Sequence, residues 1–75
     1  RMGVEKVVEA IQRYHPSPDL GLLREAYEFA SFHHRAQIRA SGEPYVTHLE
    51  EVALLVCELK LDISSVVAAL LHDVL

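Results

Sequence analysis

The spacing of the apolar residues limits the fold more than any other feature, because they recur every three or four positions in runs broken by proline, glycine and aspartate. Val4, Val7, Val8, Ile11 and Tyr14 share one helical face. That run ends at His15-Pro16-Ser17-Pro18, since a residue preceding proline avoids the helical region. Ser17, Pro18 and Asp19 then read as an N-cap, a first-turn proline and an acidic residue set against the positive end of a longer second helix. Leu20, Leu23, Ala26, Tyr27, Ala30, His34 and Gln37 form its inward stripe, and Gly21 is a small cost near its start. Ser41-Gly42-Glu43-Pro44 interrupts the pattern, because glycine permits unusual backbone angles and Pro44 biases Glu43 away from helix. Thr47 with Glu50 makes a capping box ahead of a third helix, whose buried stripe is expected at Val52, Leu55, Val56 and Leu59. Four positions before Val52 stands His48, at the mouth of that inward face. Asp62 is placed to cap a fourth helix running from Ile63 to at least Asp73, and its Val66 to Leu71 stretch is apolar all round, which predicts neighbours on every side. The expectation is all-α: about four helices around one core.

Composition narrows the function classes. With 51% hydrophobic and 24% charged residues the 75-residue chain falls in the globular range, so it should collapse as one domain. Its single cysteine, Cys57, excludes a disulfide framework, and with no cationic neighbour it reads as a small buried hydrophobe rather than a reactive thiol. A lone thiol and the lack of a secretory signal pattern suit the cytoplasm. A net charge of −4 with scattered Lys and Arg argues against nucleic acid or anionic lipid as partner. The apolar run of the fourth helix is too short to cross a bilayer. Arg1-Met2-Gly3 reads as a cloning scar or an internal cut. Val74-Leu75 closes the sequence without glycine, proline or a polar exit, which predicts truncation and packing partners beyond it, or pairing with a second copy through the unfinished helix.

His72-Asp73, at the end of the most apolar helix, is the central chemical observation. A buried carboxylate beside an imidazole costs several kcal/mol unless something compensates it, and a bound cation would do so. Taken alone, the pair favours a simpler reading: a histidine bonded to a nearby carbonyl, with Asp73 solvated past the helix end. His48 adds a second inward imidazole. Two imidazoles and a carboxylate form a nitrogen and oxygen set suited to manganese, iron or zinc, and three ligands leave it open. Of the adjacent His33 and His34 only one can face the core; His34 shares the stripe and His33 does not. His15, in its proline-flanked turn, is a surface residue on this reading.

These residues carry a resemblance. The segment His34-Arg35-Ala36-Gln37-Ile38-Arg39-Ala40-Ser41-Gly42-Glu43-Pro44-Tyr45-Val46-Thr47-His48, followed by Val52-Ala53, Leu61-Asp62 and Ala68-Ala69-Leu70-Leu71-His72-Asp73-Val74, resembles the opening half of the histidine-aspartate (HD) hydrolase domain of the RelA/SpoT family, from about Tyr14 onward. The resemblance implies that 1–75 is a truncated HD phosphohydrolase domain with an HD-like helical bundle, and that its parent belongs to the stringent response. It implies manganese on His48, His72 and Asp73, and guanosine tetra- or pentaphosphate as ligand, with Arg39 packing on the base and Ser41 contacting the nucleotide. It implies hydrolysis of the 3′-pyrophosphate by the intact enzyme. The family's Glu-Asp pair and fourth metal ligand fall after Leu75, so no catalytic residue lies within these 75, and the chain alone is expected to bind manganese weakly without turnover. Because imidazole ligands must be neutral, such binding weakens as pH falls below about 6.5. The chain departs from the family at His48-Leu49, where His-Pro is usual, at Ala40, where a basic residue is common, and at Ala36, where glycine is common. The other implied role is a non-catalytic regulatory module of a guanosine tetraphosphate synthetase, and a Glu-Asp pair soon after Leu75 would discriminate the two.

Overall fold

In a computed structural model, which describes residues 3–74, the chain forms α1 (Val4–Gln12), α2 (Leu20–His33), α3 (Tyr45–Glu58) and α4 (Ile63–Leu71). Arg1, Met2 and Leu75, on which the scar and the uncapped end were read, lie outside the described residues. No strand forms among the described residues; the nearest approach is an isolated antiparallel bridge between Ile38 and Pro44. The helices make a ring of neighbours, α1 on α3, α3 on α4, α4 on α2 and α2 on α1. Helices α2 and α3, adjacent in sequence, are therefore diagonal partners, and the loop between them must cross one end of the bundle.

The core takes Val7, Val8 and Ile11 from α1, Leu23, Ala26 and Ala30 from α2, Leu49, Ala53 and Cys57 from α3, and Val66, Ala69 and Leu70 from α4. In the first two helices the predicted stripes face the core, with Val4, Tyr14, Leu20 and Tyr27 half-buried at their edges and Gln37 alone exposed. In the third the predicted stripe does not: Leu55 and Leu59 are 60% and 71% exposed, Val52 and Val56 are half-buried, and the buried set is Leu49, Glu50, Ala53 and Cys57. Helix α3 is apolar on most of its circumference, so periodicity alone could not choose a face. Packing against α1 and α4 chose the face with the small residues Ala53 and Cys57, across which helix axes approach closely. The α4 run likewise has an open side at Ala68, so the described residues do not surround it.

The helix ends correct three further expectations. Asp19, not Ser17, caps α2, its carboxylate accepting from the Leu22 amide at 3.0 Å, while the Ser17 amide donates to His15 Nδ1. Helix α2 stops at His33, so Gln37 lies in the loop. Helix α3 starts at Tyr45 behind Pro44, with Thr47 already inside it. No side chain is needed as cap there, because the Gln37 carbonyl accepts from the Tyr45 amide at 3.0 Å and satisfies one of the orphan donors. Within the loop, Arg39 and Gly42 are joined by a turn, and Gly42 has φ 91°, a value a side chain would strain.

Asp62 caps α4 as expected, accepting from the Ser65 amide at 3.0 Å and hydroxyl at 2.7 Å. The Ser65 hydroxyl first, then its amide, hold the Asp62 carboxyl below its usual 3.8. That contribution to stability is complete above the ordinary carboxylate range and is lost as pH falls through the lowered folded value. Near it, the Tyr14 hydroxyl donates to the Leu61 carbonyl at 2.6 Å and ties the end of α1 to the α3–α4 turn. Burial first, with Cys57 and Asp62 adding to it, pushes the Tyr14 phenol from 10 up to about 12. Its stabilising effect is therefore full below pH 10 and is lost as pH rises from there through about 12. Cys57 is 4% exposed, and burial raises its thiol, as suits a core residue rather than a nucleophile.

The α3–α4 turn holds the left-handed residue Lys60, φ 57°. Its amide donates to the Cys57 carbonyl and the Leu61 amide to the Val56 carbonyl, the paired bonds of a Schellman C-cap, in which glycine is the usual left-handed residue. Lys60→Gly should therefore raise stability by about 1 kcal/mol, read as a higher urea midpoint at unchanged slope. A lower midpoint would show that the lysine chain contributes more there than its backbone costs.

Candidate metal centre

His48 lies one turn into α3, and His72 and Asp73 follow the last residue of α4, so the site forms where the start of one helix meets the end of its neighbour. One donor atom from each of the three lies within 4.8 Å of the others, and the two imidazole rings are 6.1 Å apart. The negative end of the α4 dipole points toward this spot and favours positive charge there.

The pair at 72 and 73 is not buried: the side chains are 40% and 44% exposed. The desolvation cost read from the sequence is thus absent, and the simpler arrangement is seen, with His72 Nδ1 donating to the Ala69 carbonyl at 2.7 Å and Asp73 beyond the helix end. That bond has its own consequence. A carbonyl only accepts, so Nδ1 carries the ring proton in neutral His72 and Nε2 presents a lone pair. Nε2 faces Asp73 Oδ2 at 3.3 Å. Two lone pairs at that separation repel unless a proton or a cation lies between them, so the donor set fits a divalent ion, with His48 completing two nitrogens and one carboxylate.

Behind the donors stands Tyr45, the first residue of α3. Its hydroxyl donates to Asp73 Oδ2, and its ring lies 5.4 Å from His48 and 4.6 Å from His34. His34 is 4% exposed, as its stripe predicts, and pairs through Nδ1 with Gln37 Oε1 at 2.7 Å, while Nε2 has no partner. His33 is exposed and His15 half-buried. Arg39 and Ser41 sit on the loop that leads into Tyr45 and supply no atom to the donor cluster. The Arg39 guanidinium lies 3.6 Å from both Glu43 and Glu51, and Ser41 is exposed.

Two features went unread in the sequence. Tyr45 is three residues before His48, a spacing that puts both on one helical face, and that signal was available. Glu50, whose spacing from Thr47 predicts a capping role, is 2% exposed instead and accepts from the Tyr27 hydroxyl at 2.7 Å; nothing local marks it as buried. Elsewhere, a groove of about 500 Å³ between α1 and α3 is lined by Lys6, Arg13, Lys60 and Glu58 among others and shares no residue with the donor cluster. Arg13 and Lys60 there follow the C-terminal ends of α1 and α3, which accounts for their charge without a ligand.

The HD domain family matches residues 26–75. The GTP pyrophosphokinase of Myxococcus xanthus is 46% identical over 69 residues, which is 92% of this chain and 9% of that protein. A guanosine-3′,5′-bis(diphosphate) 3′-pyrophosphohydrolase of Escherichia coli is 46% identical over 71 residues, 95% of this chain and 10% of its own length. The bifunctional (p)ppGpp synthase/hydrolase RelA of Mycobacterium tuberculosis is 44% identical over 70 residues, 93% and 10% of the two chains. This chain thus spans about a tenth of the length of these relatives. No solved structure matches. The family match over most of the sequence, the identity to these relatives and the four-helix fold show that the chain belongs to the HD domain family and matches the N-terminal part of RelA/SpoT (p)ppGpp synthase/hydrolases.

Proposed function

We propose that the chain is the first part of a guanosine 3′,5′-bis(diphosphate) 3′-pyrophosphohydrolase domain, and that His48, His72 and Asp73 hold a manganese ion in it. The observation that supports this most is the convergence of one donor from each residue within 4.8 Å, from the start of α3 and the end of α4, 24 residues apart in the sequence. HD domains are metal-dependent. When bound, the ion would polarise a phosphoryl oxygen and lower the pKa of a water. The chain's own residues do the rest. The Ala69 carbonyl holds His72 in the tautomer that offers Nε2, Tyr45 holds Asp73, and the loop from Gln37 to Tyr45 presents Arg39 and Ser41 to the nucleotide. Retention of all three donors favours this reading over the regulatory module. The cytoplasmic setting belongs to the same proposal; among the described residues no helix is long and apolar enough to cross a membrane. So does pairing with a second copy through the end of α4, for which a size-exclusion profile is the test.

A manganese titration, read by loss of the free-ion electron paramagnetic resonance signal, should show one weak site on this chain and no pyrophosphate release from guanosine tetraphosphate. Absence of any uptake would remove the metal assignment. Sustained turnover would contradict the view that further ligands are required.

Arg39 adds a second test. Its pairs with Glu43 and Glu51 are long and partly exposed, so they hold the guanidinium near the loop at little energetic cost to release. A planar guanidinium stacks on a base and an ammonium does not, so Arg39→Lys should weaken guanosine tetraphosphate binding about tenfold by calorimetry, with manganese affinity unchanged. Equal affinity would remove the base-stacking role.

A further inference from the structure

We infer that Tyr45 is a positioning residue that sets the cation affinity of the site by aiming the Asp73 carboxylate, and that it does so while anchored to the loop carrying Arg39 and Ser41. This rests on the cation reading of His48, His72 and Asp73 given above.

The three donors are not equally held. His48 is carried inside α3, and His72 is fixed by the Ala69 carbonyl. Asp73 lies past the end of α4 with its side chain 44% exposed, so its carboxylate is otherwise free to turn into solvent. The Tyr45 hydroxyl is the donor that meets it. An ionised carboxylate offers about four lone-pair directions, so one bond from a phenol fixes its plane and leaves the others for a cation. A phenylalanine ring at 45 would fill the same space and aim nothing.

Tyr45 is itself held at three points. Its amide donates to the Gln37 carbonyl at 3.0 Å, which closes the loop. Its ring packs on the buried His34, whose Nδ1 is tied to the Gln37 side chain. Its ring also lies beside His48. His34 is buried with its Nε2 unpartnered, and its ring supplies the surface on which Tyr45 rests. The loop and the donors thus share one side chain. Partners that orient metal ligands typically change metal affinity 10–100-fold when removed.

The test uses this chain and manganese alone. Tyr45→Phe keeps the ring on His34, so its far-ultraviolet circular dichroism should match the parent's and its metal-free melting curve should stay cooperative, lowered by no more than the loss of one partly exposed hydrogen bond. Its manganese affinity should fall at least about tenfold. In an Asp73→Ala background, where the aimed group is gone, adding Tyr45→Phe should change affinity less than about twofold, because the two residues act as one unit. Parent-like affinity of Tyr45→Phe, or the same penalty in both backgrounds, overturns the inference while leaving the metal site intact. No manganese uptake by the parent chain overturns both.

Discussion

Leu23→Ala is expected to leave most of the chain unfolded in water at room temperature, seen as loss of helical circular dichroism and of a cooperative urea transition. Leu23 is fully buried, at 0% exposure, in a core to which each helix contributes three residues. Truncating such a leucine costs about 2–5 kcal/mol through lost burial and the cavity left behind. A chain of this size without disulfide or structural metal has only about 3–5 kcal/mol in total, so one side chain decides the equilibrium. Leu59→Ala is the control: at 71% exposure it should shift stability by no more than about 0.5 kcal/mol. If the two variants melt together, the phase of α3 and the position of the core described here are wrong.

His72→Ala should lower manganese affinity by at least about a hundredfold, beyond the range expected for a residue that only orients a ligand. With three donors from the chain, loss of one leaves an imidazole and a carboxylate that hold an ion far less tightly. His72 is also 40% exposed at its helix end, so the folded state should survive and the loss can be read as binding rather than unfolding. His33→Ala removes an exposed imidazole that is not among the donors and should bind as the parent does. Equal binding by His72→Ala would mean that the ion, if taken up, sits elsewhere.

The two experiments probe different parts of the same arrangement. Leu70 is fully buried and Leu71 half-buried on α4, one or two residues before His72. The burial that fixes the helix therefore also fixes the position of the donors that follow it. On α3 the relation repeats, since Leu49 at 0% exposure immediately follows His48. The usual proline of the family would offer less apolar surface at that position, and the leucine here is a core residue that anchors the first turns of α3.

What could be read in advance was whatever depends on neighbours along the chain. The number and order of the helices follow from apolar spacing and from breaks at Pro16, Pro44 and Asp62, although their ends do not, α4 closing at Leu71 rather than at Asp73 or beyond; His34 inside with His33 outside follows from adjacency on one helix. His48, His72 and Asp73 could be nominated because motif order survives without any knowledge of distance. What folding alone decided were matters of one surface meeting another. Helix α3 presents apolar residues on nearly every side, so only contact with α1 and α4 selected Leu49, Ala53 and Cys57 over Leu55 and Leu59. Glu50 became buried because Tyr27, from another helix, lay opposite it. Tyr45 became the support of Asp73 because the start of α3 and the end of α4 were brought side by side, and no local pattern encodes a separation set by packing.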